Sequence, residues 1–474
     1  TRGQYDFNAQ FTRQIGAAGS QTALADFALG VPSNINRNIL AGTFGMRFWN
    51  LSGFADDSWR VNNRLTWNFG LRYELLAPPY ETNDRWSNFN VTTGKILLAN
   101  RDGNDRRVRN LDKNNFAPRV GLSYLLTSDQ KTVLRTGFGI SYVEAGQGGG
   151  QLYKNLPHFF SQVIPSDQNG QPGIRISDGL PTPIPPDIND PVALSSGNPN
   201  AWDLDLQSTK TMQWSFGLQR EIHANLLVDV SYVGTRTLGL ISNVNINQSI
   251  PGAGAQGPRR PLFSINPGVT NVTYRTNYGS AKYHSFQTRV EKRAAEGLTV
   301  SLAYTWSHFL ANGSNINGGG NGPPQDARCY NCEWGSMPED RRHIAVVNHV
   351  YELPFGYKRK FLNSGLFSHI VGNWDLSGIW SLASREHYTP TLAAAVSNSA
   401  GGGGDRPNRL ADGNLPNGER TIDRWFDISG FVSPAQFSFG NAGRGILEGP
   451  GSFNVDLGVH RNFPVNEKLR LNFR

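Results

Sequence analysis

The feature that most constrains this chain is a regular alternation of apolar and polar residues over long segments. It is clearest in residues 65–75, where apolar side chains fall on one face of an extended strand and polar side chains on the other. The apolar set is Leu65, Trp67, Phe69, Leu71, Tyr73 and Leu75, and the polar set is Thr66, Asn68, Gly70, Arg72 and Glu74. A strand of this length can cross a bilayer, which takes about 9–11 residues when the strand is tilted.

The same pattern recurs along the chain, and the connections between the predicted strands alternate in length. The predicted strands are 4–13, 44–60, 64–76, 116–126, 131–143, 209–221, 225–235, 282–292, 298–309, 341–353, 373–384, 452–463 and 468–474. Most short connections carry hairpin residues such as Asn, Asp, Gly or Pro. The other connections are long: 14–43, 77–115, 144–208, 236–281, 310–340 and 385–451. This asymmetry predicts an antiparallel transmembrane β-barrel, with short turns at one end and long loops at the other.

A soluble all-β protein is the alternative, because its strands alternate in the same way. The predicted strands are long compared with the usual length of about 5–6 residues in globular proteins. Long loops also occur at every second connection, which favours the barrel. In a barrel, the apolar face with Trp67, Phe69, Leu71 and Tyr73 points outward. Arg72, Arg119 and Arg135 then point into the lumen.

The charge composition indicates which classes of partner the protein can have. The net charge of +8 suggests an anionic partner, but the basic residues are scattered through turns, loops and polar strand faces. The sequence has no basic helix and no aromatic RNA-binding motif, so nucleic acid is not expected. Outer-membrane lipid and lipopolysaccharide are the simpler anionic partners for such a surface.

Several stretches, in order along nearly the whole chain, resemble the barrel of TonB-dependent outer-membrane receptors, and the Oar-like group in particular. They are DDSWRVNNRLTWNFGLRYELLAPP (56–79), NNFAPRVGLSYLL (114–126), MQWSFGLQREI (212–222), VDVSYVGTR (228–236), YHSFQTRVEKR (283–293), LAYTWSH (302–308), DRRHIAVVNHVYELPFG (340–356) and FNVDLGVHRNF (453–463). Each stretch alone is a weak barrel motif, whereas the ordered series is specific.

The resemblance implies a barrel of about 22 strands behind an N-terminal plug. Residues 1–474 would be a partial barrel domain of about 13 strands, with no plug and no signal peptide in this chain. Residues 5–11 and 468–474 would then be unpaired edges of an open sheet, or would be forced together to shut a smaller barrel. The implied location is the bacterial outer membrane, and the implied partner is the TonB complex, reached through the missing N-terminal region.

The resemblance also implies the function: a receptor that binds a bulky substrate through extracellular loops and imports it with TonB-supplied energy. An adhesion or structural protein that uses the barrel as an anchor is the alternative. A passive porin ranks third, because the loops are longer than diffusion requires. No catalytic grouping is recognisable, so we expect no enzyme activity and no cofactor.

Aromatic residues near strand ends are expected to form the girdles of a barrel at the membrane interfaces. They are Trp49, Trp59, Trp67, Trp306, Trp374 and Trp380. Trp202, Tyr330 and Trp334 lie deep in long loops, where a girdle is not available. These three are the predicted ligand contacts.

Cys329 and Cys332 have the C-x-x-C spacing of metal and redox motifs. A second ligand pair for zinc and a thioredoxin-like setting are both missing, so a local disulfide is favoured over free thiols at the cell surface. His343 and His349 share a strand face without an H-E-x-x-H motif, so no metal site is predicted. The string GAGAQG at 252–257 lacks the strand and helix that a phosphate-binding loop needs.

Overall fold

One large, predominantly antiparallel sheet dominates the protein. The computed structural model describes residues 3–12, 23–40, 42–144, 151–168, 170–182, 184, 187, 189–190, 195–223, 225–295, 297–313, 322–356, 359–464 and 470–474. The main path of the sheet contains twelve strands, numbered here in chain order. They are β1 (Asn50–Arg60), β2 (Leu65–Leu76), β3 (Asn115–Leu125), β4 (Thr132–Val143), β5 (Thr209–His223), β6 (Leu226–Asn245), β7 (Thr273–Ala295), β8 (Leu298–Ala311), β9 (His343–Glu352), β10 (Trp374–Ala383), β11 (Ser452–Pro464) and β12 (Arg470–Phe473). The all-β class predicted from the alternation is confirmed.

Each strand of the path pairs with its neighbours in the sequence, and every one of these pairings is antiparallel. The chain therefore runs up and down, and its connections fall alternately at two ends of the sheet. The path is open and runs from β12 to β1. Two further strands join it: Asn200–Trp202 pairs in parallel with β7, and Gly335–Ser336 pairs with β8.

The prediction of a membrane strand at residues 4–13 is wrong. Gly3–Asp6 pairs with Asn34–Leu40, which pairs in turn with Phe159–Pro165 in a separate three-stranded sheet. The apolar side of the segment meets protein rather than lipid, because the ring of Phe7 packs 5.4 Å from that of Phe27. The main path begins at β1, so the stretch 14–43 does not connect two of its strands, and the edge expected at residues 5–11 lies at β1 instead.

The strands β6 and β7 are longer than predicted, since the expected segments were 225–235 and 282–292. Their hairpin continues beyond the barrel pattern, with register shifts between Leu238 and Leu240 and between Leu240 and Ser242. Gly239 lies at this irregularity with a φ of 66°. Bulges of this kind interrupt the two-residue periodicity, so the alternation alone could not reveal the extension.

Short elements fill the connections. Two helices, α1 (Ala23–Ala28) and α2 (Leu366–Val371), and six 3₁₀ turns are present in the described residues. The 3₁₀ turns are Leu152–Lys154, Ile176–Asp178, Gly257–Arg259, Asn331–Glu333, Asn417–Glu419 and Ile428–Gly430. The small strand pairs are Met46–Arg47 with Tyr80–Glu81, Ser87–Asn90 with Lys95–Leu98, Asp167–Gln168 with Gln171–Pro172, His387–Tyr388 with Leu447–Glu448, and Asn408–Arg409 with Phe431–Val432. Within the described ranges, neither helix has the length and apolar character needed to cross a membrane.

Five long connections separate the hairpins, and they are named here as loops. They are loop A (77–114), loop B (144–208), loop C (246–272), loop D (312–342) and loop E (384–451). The connections at the other end are 61–64, 126–131, 224–225, 296–297, 353–373 and 465–469. The third of the predicted turns, at 223–225, and the last, at 464–467, fall partly outside the described residues.

The register sorts the side chains onto two faces. One row of directly opposed residues crosses eight strands on the apolar face: Trp59, Trp67, Leu122, Thr136, Phe216, Tyr232, Phe286 and Trp306. Its aromatic members are exposed; Phe216 is 54 % exposed and Trp306 is 53 % exposed. An exposed aromatic row is what a lipid-facing surface requires.

The three arginines predicted for the lumen lie on the opposite face. Arg119 stands opposite Gly70 and Gly139. Arg135 stands opposite Gly217, and Arg72 is two residues beyond Gly70 on the same strand. The predicted separation of Trp67, Phe69, Leu71 and Tyr73 from these arginines is therefore confirmed by the register.

The apolar face should reject charge far more strongly than the polar face. We expect Phe216→Arg, at the middle of β5, to destabilise the intact protein in membranes by about 2–4 kcal/mol. Ser215→Arg places the same side chain on the opposite face and should leave folding nearly unchanged. The measurement is the folded, heat-modifiable fraction of the protein after refolding into lipid vesicles in solutions of increasing urea concentration. Equal loss in both variants would contradict the assignment of the faces.

Candidate functional site

The long loops meet at one rim of the sheet, as chain parity predicts. Asn110 of loop A donates its side-chain amide to Asp205 of loop B at 2.7 Å. Loops B and C are also joined, since Gly197 donates its backbone N–H to Gly268 at 2.8 Å. At the other end, Lys131 in the turn after β3 pairs with Glu221 near the end of β5 at 3.4 Å. The expected division into a short-turn end and a long-loop end is confirmed, with five long loops rather than six.

The buried hydrophobic side chains lie mostly in this loop region rather than in the middle of the sheet. One cluster contains Trp86, Ala99, Val108, Leu152, Trp202, Leu206 and Ile241, and a second contains Phe89, Ala201, Leu262, Val269 and Val272. Both clusters combine residues from different loops. The loops therefore have their own core and form a packed layer above the strands.

A buried charge network holds loops D and E together. The carboxylate of Glu333 in loop D accepts hydrogen bonds from the guanidinium groups of Arg406 and Arg444 in loop E. The three side chains are 1 %, 4 % and 5 % exposed. Burial lowers the pKa of Arg406, and the charge of Glu333 opposes that effect. Two cations around one carboxylate leave a net positive charge in a dry site, which backbone carbonyls partly offset: Arg406 donates to Ala442 at 3.0 Å.

Two glutamines extend the network to loop C. Gln325 donates its backbone N–H to Glu333 at 3.1 Å and its side-chain amide to the carbonyl of Gly440 at 3.0 Å. Gln248 of loop C donates to the carbonyl of Gln325 at 2.8 Å and accepts from the N–H of Ala327 at 2.8 Å. Loops C, D and E are thus joined by hydrogen bonds between buried groups.

A second contact joins loops D and E to the sheet. Asp340, which is 1 % exposed, places Oδ2 3.7 Å from His308 Nε2 on β8 and 3.6 Å from His387 Nε2 in loop E. Its other oxygen accepts the backbone N–H of Phe309 at 2.9 Å. In the described part of the chain, no group of three His, Cys, Asp or Glu side chains is arranged to hold a metal ion.

Trp202 is a packing residue in this conformation. Its side chain is 1 % exposed, and the guanidinium groups of Arg109 and Arg275 lie 5.2 Å and 4.7 Å from the centroid of its ring. Asn88 fixes the backbone of Trp202 by accepting its N–H at 2.8 Å and donating to its carbonyl at 2.9 Å. A buried ring offers no surface to a ligand, so the predicted ligand contact at Trp202 is not compatible with this arrangement.

The environment of Arg109 is unusual for an arginine. Burial lowers its pKa to about 10, while the nearby charge of Glu144 raises it. Burial raises the pKa of Glu144, and the nearby charge of Arg109 opposes that effect. At neutral pH Arg109 stays protonated, and its charge is available to the ring of Trp202.

Tyr330 is the predicted ligand contact that the structure leaves accessible. Its side chain is 39 % exposed, and its ring stacks on that of Tyr278 at an interplanar angle of 26°. Burial of its remaining surface raises the pKa of Tyr330 to about 12, so its hydroxyl is a neutral donor at neutral pH. Cys329 and Cys332 form a disulfide with their Cα atoms 5.4 Å apart, and this bond closes the turn that carries Tyr330.

Trp334 lies just beyond this turn, but its ring has different neighbours from that of Tyr330. Its ring is 5.6 Å from the charged groups of both Arg236 and Lys282. These two residues stand on the apolar face of the sheet, opposite Met212 and Leu310 respectively. A ligand of Trp334 would therefore approach from the membrane side of the rim rather than from the lumen.

A cavity of about 540 Å³ follows β1, β2 and β3, with Asp56, Asn68 and Arg119 among its lining residues. The segment 252–257 is followed by a short 3₁₀ turn, Gly257–Arg259.

Sequence reasoning missed the residues that hold the loops together. Glu333 is separated from Arg406 and Arg444 by 73 and 111 positions in the chain. Each is a single charged residue in a polar, Gly-rich loop, where solvent exposure is the usual outcome. No local signal marks such a network, since only the folded loops bring its members together.

Removing the central carboxylate of this network should loosen the loop layer. Glu333→Gln leaves two buried guanidinium groups without a counterion, and breaking a buried pair costs about 3–5 kcal/mol. We expect faster hydrogen exchange in loop E, measured by mass spectrometry on the intact protein. Asp326→Asn, which breaks an ion pair with Arg328 at a more exposed position, should change exchange little, since such pairs contribute about 0–1 kcal/mol. Similar exchange in the two variants would show that the network does not hold loop E.

Comparison with known proteins places the chain in a family. A family described as an outer membrane beta barrel domain matches residues 1–474. A search of curated proteins finds no match.

Three solved structures that the chain resembles are distant in sequence. The iron transporter FrpB from Neisseria meningitidis shares 11 % identity at a TM-score of 0.35, over 81 % of this chain and 39 % of its own. The siderophore receptor PiuA from Acinetobacter baumannii shares 10 % identity at 0.39, over 92 % and 38 %. The outer membrane transporter YddB from Escherichia coli shares 12 % at 0.38, over 90 % and 48 %.

The chain thus spans less than half the length of these structures. The family model matches the whole sequence. The structure agrees with it, because the sheet is antiparallel and runs up and down, has an exposed aromatic face and carries its long loops at one rim. The chain belongs to the outer membrane β-barrel domain family and lies in the bacterial outer membrane.

Proposed function

We propose that this chain is the barrel part of a TonB-dependent receptor of the Oar-like group, which binds a bulky substrate at its loop layer and imports it with TonB-supplied energy. The observation that carries the proposal is the construction of the loop layer. Loops C, D and E share buried hydrogen bonds through Gln248, Gln325 and Glu333, so they act as one shaped surface. A preorganised surface binds more tightly than separate mobile loops, because less conformational entropy is lost on binding.

The loop layer presents Tyr330 as its proposed contact with the substrate. The ring is exposed on one side and held by Tyr278 on the other, while the disulfide and the buried Glu333 fix the turn on either side of it. Tyrosine supplies a large contact area with few rotatable bonds and is enriched among the residues that dominate binding energy. Enzyme activity is not part of the proposal, and neither a cofactor nor nucleic acid is expected.

The energy requirement provides the first test. Cells that produce the intact protein are offered a panel of labelled ferric siderophores, other metal chelates, oligopeptides and oligosaccharides. We expect one class to accumulate inside the cells, and its accumulation to stop when the TonB complex is inactivated or the proton gradient is collapsed. Uptake that survives both treatments would indicate a passive pore. Surface binding without accumulation would favour the adhesion alternative.

The contact residue provides the second test. Tyr330→Ala should weaken binding of the imported substrate about tenfold, the effect of losing one moderate aromatic contact. The matched control is Tyr388→Ala in loop E, which removes another exposed tyrosine, 46 % accessible, from the same rim. Binding is measured by titration of the purified protein in detergent. If both substitutions have the same effect, or neither has any, Tyr330 is not a specific contact.

A further inference from the structure

A basic group lies on the outer face of the sheet, next to the loop rim. Arg236 of β6 and Lys282 of β7 are directly opposed across the two strands. Both belong to the apolar face, since Arg236 is opposite Met212 and Lys282 is opposite Leu310. Lys210 of β5 is on the same face, opposite Leu238 and therefore diagonal to Arg236.

The position of this group along the strand matches a membrane interface. From Lys282 towards the turn at 296–297, the residues of β7 on the apolar face are His284, Phe286, Thr288, Val290 and then Lys292. No Lys, Arg, Asp or Glu stands between the two lysines on this face. Ten residues of strand cover about 33 Å, or about 25 Å along the membrane normal after tilting, which is the height of the apolar band of a barrel. Lys282 therefore marks the interface on the loop side, and Lys292 marks the interface on the turn side.

The pairing of Arg236 with Lys282 is unfavourable without an anion. Like charges that are directly opposed on a sheet repel each other. Among the described residues, no carboxylate oxygen lies within 4.0 Å of either cation. Nη1 of Arg236 is buried and has no hydrogen-bond partner in the described part of the chain. The ring of Trp334 lies near both cations and attracts them, but it cannot neutralise two charges.

We propose that Lys210, Arg236 and Lys282 bind the phosphate group of a phosphorylated glycolipid in the outer leaflet, with Trp334 packed beside its headgroup. Arginine grips phosphate through paired N–H groups, and lysine adds a mobile point charge. Tryptophan is favoured at this depth because its ring suits the boundary between headgroups and hydrocarbon. A lipid is the occupant because the site faces the membrane, at the level where headgroups of the outer leaflet lie.

This assignment gives Trp334 a lipid contact instead of a contact with the transported substrate. It also explains why two cations can face each other on a surface that is mostly apolar. The site does not include Tyr330, the proposed contact with the substrate, so the lipid proposal is independent of transport.

The test compares lipid binding to the full-length protein and to two variants, by native mass spectrometry from detergent. The probe is a purified outer-leaflet glycolipid with its phosphates intact. We expect R236Q/K282Q to bind it about 25-fold more weakly, since each basic residue near anionic lipid contributes roughly fivefold. Lys292→Gln, on the same strand and face but at the turn-side interface, should bind as the wild type does. Heat modifiability confirms that each variant is folded.

A comparison without any variant keeps the proposal testable if R236Q/K282Q does not fold. The wild-type protein should bind the phosphorylated glycolipid and largely lose binding once its phosphates are removed enzymatically. Excess inorganic phosphate should not displace the lipid, because the acyl chains anchor it beside the sheet. Equal binding of the dephosphorylated lipid, displacement by free phosphate, or an equal loss in the Lys292→Gln variant would overturn the assignment.

Discussion

Backbone hydrogen bonding in lipid is the constraint on which the rest of this structure depends. A strand in the hydrocarbon layer has no water to satisfy its N–H and C=O groups, so each strand must pair with a neighbour on either side. Pairing between strands that are adjacent in the sequence satisfies this demand with the shortest connections. The up-and-down order of β1 to β12 follows from that demand, and so does the gathering of the long loops at one rim.

The loops obey a different rule because they are outside the lipid. Two apolar clusters, one containing Trp202 and the other Val272, form a core within the loops. Buried hydrogen bonds and charges add to this core: Glu333 pairs with two arginines, and Asn88 accepts the backbone N–H of Trp202. Removing one partner of a buried ion network leaves an uncompensated charge, so its members stay together. Such a network suits a surface that must keep one shape.

The outer surface of the barrel combines both rules. Its middle carries mostly apolar and uncharged side chains, because charge there is costly; Asp57 of the edge strand β1, opposite Phe69, is an exception. Its loop-side margin carries Lys210, Arg236 and Lys282, where the environment changes from hydrocarbon to headgroup. Lysine and arginine are therefore unfavourable in the middle of this face and favourable at its loop-side margin. The position of a residue along its strand sets its depth in the membrane.

The sequence by itself determined the strands, their order and their two faces. A two-residue alternation is a local property, and every strand that crosses the membrane needs an apolar face towards the lipid. The positions of Trp67, Phe69, Arg119 and Arg135 could be predicted for this reason. The local pattern gave a wrong prediction at residues 4–13, because the apolar side of this short segment packs against helix α1 rather than lipid. Only the tertiary structure decided that Trp202 is buried, that Tyr330 is exposed and that Glu333 meets Arg406 and Arg444. These outcomes depend on contacts between loops far apart in the chain, and no local pattern encodes which distant partner a single loop residue will meet.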